Sequence, residues 1–177
     1  MRRLPIRLPG GGALLLLLSL LLLSLLLLAI GRSNLGQEEL LLVSAGDGSL
    51  PAVCCRYRPG WLFCQAVVLC PGSRSSARVL HYALQQRGES RLRALFVPVS
   101  AEPLRGAEGL LQALPAGALI FLGDSRQRIQ QQELSRQAAA AGIWVQSCPA
   151  GSGSVLGWSV DYRRDAGGVL DWQYSLP

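Results

Sequence analysis

The 177-residue sequence holds 17 basic and 11 acidic residues, and three of its arginines lie within the first seven positions. Without them 14 arginines face 11 acids, a net charge of +3, too weak a field to mark a nucleic-acid binder. Domains usually run ~100–150 residues, so this length leaves room for one ordinary domain and a targeting segment, not for two domains. Every basic residue is arginine and Asn34 is the only asparagine. That bias fits a GC-rich genome better than selection for phosphate contacts.

Arg2, Arg3 and Arg7 precede Ala13–Ile30, an apolar stretch interrupted only by Ser19 and Ser24. As a helix it measures about 27 Å, close to the thickness of a bilayer core. A cleaved signal usually has a core of ~7–15 residues, so a retained transmembrane signal-anchor is favoured over cleavage near Ala29 and Gly31. The arginine asymmetry favours a cytoplasmic N-terminus and an exported C-terminal part. The expected organisation is a basic segment 1–12, an anchor 13–30, a polar stalk 31–50 and an extracytoplasmic domain 51–177.

The domain opens with "AVCCRYRPGWLFCQAVVL", two strand-like runs around Pro59-Gly60, which predicts a hairpin. Strand and helix then alternate. Val67–Leu69 precedes a helix over Ser75–Arg87, and Leu92–Val99 is the next strand, with Pro98 suggesting an edge or a bulge. Leu104, Ala107, Leu111 and Leu114 recur at helical spacing despite Gly106 and Gly109. Ala118–Leu122 reads as a buried strand, and Asp124 with Gln127 resembles a capping box for a helix over Ser125–Ala141. Ile143–Val145 returns to strand, and "CPAGSGS" reads as a loop. Aromatic alternation around "RRDAGG" predicts a hairpin pairing Tyr162 with Leu170, Val160 with Trp172 and Trp158 with Tyr174. The order hairpin, βαβαβαβ, hairpin predicts a single α/β domain with a mixed, largely parallel sheet behind one N-terminal transmembrane helix.

The stretch "CPGSRSS" lacks the second glycine and the lysine of a P-loop, and no Gly-x-Gly-x-x-Gly occurs. It resembles a short stretch near the N-terminus of the thiamine-diphosphate enzymes that make a menaquinone precursor, and "AGDGSL" contains the Gly-Asp-Gly of their metal motif. That motif needs a downstream Asn, and here the only Asn lies upstream in a chain far too short, so this family is set aside. What remains is generic. Ser73, Arg74 and Ser75 follow one strand, and Asp124, Ser125 and Arg126 follow another. In a parallel sheet both groups reach the carboxyl edge, where helix N-termini and guanidinium groups suit an anion. N-capping with surface arginines explains the same residues.

Five cysteines in an exported chain raise the question of pairing. A two-residue loop at Pro59-Gly60 would put Cys55 opposite Cys64, and Cys70 and Cys148 both end strands, so these are the two candidate disulfides. No Cys-x-x-Cys exists and the only histidine, His81, falls on a polar helix side; no metal site and no cofactor are expected. Trp61, beside the turn, is the most exposed contact candidate.

These features point to a membrane-anchored extracytoplasmic interaction or assembly module without an evident catalytic centre. Its partners would be the lipid bilayer through residues 13–30 and another membrane or envelope protein. An envelope enzyme or small-anion-binding domain using the carboxyl edge is the alternative, and a thiol-based redox factor ranks third. The element order leading to "LPAGALIFLGD" resembles membrane-bound factors that assist haem attachment in the cytochrome b6f complex, which implies a cofactor-assembly role. Those factors carry two membrane spans where this sequence shows one.

Overall fold

The computed structural model describes residues 11–33, 36–46, 48–59, 64–123, 127–149, 151–164 and 170–175. The elements run α1 (Gly11–Ser33), β1 (Gln37–Val43), β2 (Ala52–Arg58), β3 (Gln65–Cys70), α2 (Arg74–Gln86), β4 (Leu92–Pro98) and α3 (Ala101–Ala113). They continue with β5 (Ala118–Leu122), α4 (Arg128–Ala140), β6 (Trp144–Cys148), β7 (Ser152–Val155), β8 (Trp158–Arg164) and β9 (Leu170–Ser175). The chain divides into two compact units, residues 1–37 with 58–63, and residues 38–57 with 64–177.

The first unit holds α1, in which the Ser24 hydroxyl donates to the Leu21 carbonyl at 2.8 Å. Among the described residues no helix is long and apolar enough to cross a membrane. This overturns the single-pass signal-anchor expected over 13–30.

The second unit is α/β. Its main sheet has the order β1-β2-β3-β4-β5-β6, with β2 antiparallel to β3 and β3 to β6 mutually parallel. Strand order follows chain order, so crossovers of one hand put α2, α3 and α4 on one face. Their apolar stripes close the first core: Leu80 and Leu84 of α2, Leu104, Ala107 and Leu110 of α3, Leu134 and Ala138 of α4, over Val68, Leu95, Val97, Leu119 and Phe121. The opposite face carries Cys55, Val67, Leu69, Ala94, Phe96, Ile120 and Leu122. Strands β3 to β5 are thus buried on both sides, which is why they read as unbroken apolar runs.

A second sheet, β7-β8-β9, covers that opposite face with Val155, Trp158 and Val160. Trp158 is fully buried and meets Tyr57 edge-on, with ring centroids 6.1 Å apart. The C-terminal hairpin therefore belongs to a separate sheet rather than to one mixed sheet. Its register pairs Tyr162 with Trp172 and Val160 with Tyr174, two residues away from the expected alignment. A slip of two preserves which side chains face inward, since the period of a strand is two.

Three further elements differ from expectation. Gln37–Val43, expected within a polar stalk, forms edge strand β1. β4 is central, not an edge; Pro98 is tolerated as its last residue, opposite Leu122 of β5. The connection between β2 and β3 is longer than Pro59-Gly60, because Tyr57 pairs with Gln65.

Candidate functional site

The carboxyl ends of β3, β4, β5 and β6 share one edge, as parallel pairing requires. Ser73–Ser75 lie at that edge, whereas Asp124, Ser125 and Arg126 lie outside the described residues. A strand order that climbs in one direction has no switch point within β3–β6.

The N-terminus of α2 is also closed. Ser73 is the N-cap: its Oγ accepts the Ser76 N–H at 3.2 Å, and its own N–H donates to the Leu50 carbonyl at 2.9 Å. The Ser73 hydroxyl reaches Ser49 at 2.8 Å, Ser75 at 2.9 Å and Ser76 at 3.1 Å, a local network of four hydroxyls. Gly72, at φ +66, lies so close to Leu50 and Pro51 that a Cβ there would come within 2.6 Å of their backbone. Gly106 of α3 seals the other side, where a Cβ would sit 2.3 Å from the Gly72 oxygen. The loop after β3 is a packed joint between strand, helix and the Leu50–Pro51 segment. Arg74 is exposed and lies over Gly109 of α3, in a groove of about 360 Å³ with Leu104, Arg105, Glu108, Ile129 and Glu133. It belongs to the outer surface of the helical layer.

The structure does not bring the candidate disulfide partners together. Cys55 stands opposite Val67, not Cys64. Cys70 and Cys148 sit on β3 and β6 with two strands between them, about 14 Å at the usual strand spacing, beyond the ~7 Å a disulfide spans. Among the described residues no disulfide forms. Burial pushes the Cys70 thiol up to about 12. Burial first, then the nearby Glu38 carboxylate, pushes Cys55 up to about 12. Burial also raises Cys54 and Cys148. Raised thiols are poor nucleophiles, so the redox reading gains no support from these four.

The flank formed by β1 was not legible as a site. The strand ends the sheet and leaves Leu40 53% and Leu42 70% exposed, while Leu41 and Val43 pack inward under the helices. Its two acids are engaged within the fold. Glu39 accepts from Arg56 and, at 3.0 Å, from Arg87; Arg56 also grips Glu89 at 2.9 and 3.1 Å. Burial alone would raise the Glu39 carboxyl, but the bonds from Arg56 and Arg87 outweigh it and hold it below the usual range. Glu38 accepts the Cys55 thiol at 3.5 Å and the Tyr174 hydroxyl of β9. The bond to Glu38, then burial, pushes Tyr174 up to about 12.

Other features are quieter. A shallow depression of about 430 Å³ on the outer face of the second sheet is lined by Ser152, Ser154, Ser159, Asp161, Gln173 and Ser175. Ser154, Ser159 and Ser175 form one cross-strand row there, as the pairing registers require. Among the described residues His81 has no hydrogen-bond partner for its buried Nε2, and it stacks obliquely beside Tyr82, which differs from the solvent position expected. Trp61 lies outside the described residues. Among the described residues no group of three or more His, Cys, Asp or Glu could hold a metal ion. Comparison with family models, curated proteins and solved structures finds no match to this chain.

Proposed function

We propose that the α/β unit is a non-enzymatic interaction or assembly module, exported behind its basic, leucine-rich leader, and that the β1 flank is its docking surface. One observation carries this reading: Leu40 and Leu42 stand exposed on an edge strand whose acids are turned onto their own fold. Edge strands are normally guarded by charge, proline or a bulge, and an unguarded apolar edge is a template for another chain. The carboxyl-edge alternative is the second reading: Ser73 and the loop before it are packed against Leu50–Pro51 and Gly106, while Asp124, Ser125 and Arg126 lie outside the described residues.

The test is a photo-crosslinking amino acid placed at Leu42 in the full chain in its own cells, with exposed Ile129 on the helical layer as the control position. The reading requires a discrete adduct from position 42 that position 129 does not give. Identical patterns from both positions would refute it.

A further inference from the structure

Strand β1 matches itself. Set antiparallel to a second copy, about a two-fold axis perpendicular to the sheet at Leu41, Leu40 faces Leu42 of the second copy and Leu42 faces its Leu40. On the helical side Leu41 meets its own equivalent and Glu39 meets Val43. Glu38 meets the hydroxyl-bearing Ser44, so no acid opposes an acid anywhere along the pair. Moving the axis to Leu40 sets Glu38 against Leu42, and moving it to Leu42 sets Leu40 against Ser44. Register in a sheet is chosen by such apolar matching, and like charges directly opposite are destabilising. We propose that two copies of this chain join through β1 in the Leu41-centred register, making one continuous twelve-stranded sheet. The inference rests on the interaction-module reading and names its partner.

Three features favour a second copy over an unrelated strand. Glu39 is balanced by Arg56 and Arg87 before any partner arrives, so the strand asks for no basic complement. The exposed leucines, two residues apart on one face, are satisfied pairwise only by a strand with the same spacing. The second sheet also ends on this flank, because Tyr174 of its last strand holds Glu38. A two-fold axis there brings both sheets of one copy against both sheets of the other. Closed two-fold contacts are the commonest way for a chain to use one patch on itself, and open sheets of 8–15 strands occur.

The experiment uses the full chain in mild detergent. Sedimentation equilibrium should give a dimer for the wild type, and Leu42→Arg should weaken the association by at least about tenfold. At dilutions where both proteins are monomeric its melting curve should match the wild type, because Leu42 is largely exposed. Copper-catalysed oxidation of an equimolar mixture of Leu40→Cys and Leu42→Cys chains should give a disulfide between the two variants, above the wild-type background. A monomeric wild type, a dimer indifferent to Leu42→Arg, or Leu40→Cys linking to itself as readily as to Leu42→Cys would each overturn the proposal. A monomeric wild type that still gives a specific adduct from position 42 in cells would discard the second copy and keep the docking surface.

Discussion

Replacing Gly106 by alanine tests the joint between α3 and the loop after β3. The new methyl carbon would stand 2.3 Å from the Gly72 oxygen and 3.2 Å from that of Pro71. Ordinary carbon-to-oxygen contacts run ~3.3–3.6 Å, so α3 or the loop must move by about 1 Å. The Gly72 loop is itself pressed against Leu50 and Pro51, which leaves it little slack. Overpacking of this kind costs ~1–3 kcal/mol, and the helix gains ~0.8–1.0 kcal/mol when glycine becomes alanine. The net expectation is a loss of up to about 2 kcal/mol, a fall in Tm of up to about 8 °C for a chain of this size. Gly109→Ala is the matched control, since its Cβ meets nothing nearer than the Arg74 Cγ at 3.8 Å. It should gain up to ~1 kcal/mol from helix propensity alone. Urea unfolding of the two variants beside the wild type reads both signs at once. A Gly106→Ala protein that gains as much stability as Gly109→Ala would refute the close approach and reopen the α2 N-terminus as a cavity.

Arg56 is 12% exposed between Glu39 and Glu89, so Arg56→Ala should cost about 2–4 kcal/mol in urea unfolding, because it strands the largely buried Glu89 carboxylate. Trp158→Ala should cost ~3–5 kcal/mol and loosen the second sheet; equal protection of β8 amides in hydrogen exchange would contradict the packing. The thiols of Cys55 and Cys70 stay neutral to about 12 when folded but ionise near 9.0 when unfolded. Their contribution is complete below 9.0 and lost as pH rises through the folded values, so Tm should fall above pH 9, less steeply in Cys70→Ala. At the acid end Glu39 acts with the opposite sign. Its carboxyl is held below its ordinary 4.5, so its contribution is present above 4.5 and lost as pH falls through the folded value. A Glu39→Gln variant should therefore lose less stability on acidification than the wild type.

Much of the α/β unit was legible because its signals are local. Val67–Leu69, Leu95–Val97 and Ala118–Leu122 are short apolar runs separated by helical repeats, and that alternation dictates parallel pairing. Ser73 as a cap was equally local. What failed depended on distant partners. Glu38 and Glu39 made β1 look like a solvated stalk, yet their charges are met by Arg56 and Arg87 and by Tyr174, far along the chain. β7 hid among serines and glycines, although Gly153 packs closely there: a Cβ would lie 3.0 Å from side-chain methyl groups of both Ile120 and Leu122. The pairing of Cys55 with Cys64 assumed a two-residue loop, and loop length fixes register. The direction of Arg74 followed from how tightly α3 approaches, which no periodicity encodes.

The division of labour between the two faces of the main sheet also sets an order of events as the chain is made. Each helix that covers the first face follows directly on the strand it packs against, so that side can close as synthesis proceeds. The other face waits for residues beyond 152, because β7 supplies Val155 and β8 supplies Trp158 and Val160 to cover it. Until they emerge, Val67, Leu69, Phe96, Ile120 and Leu122 stand open on strands already formed. Chains fold from the N-terminus as they are synthesised, and exposed apolar surface of this kind invites association and chaperone binding. A chain stopped before residue 152 would be a sheet with one bare side, and translation stalls near the end of the message are where this protein is most vulnerable to loss.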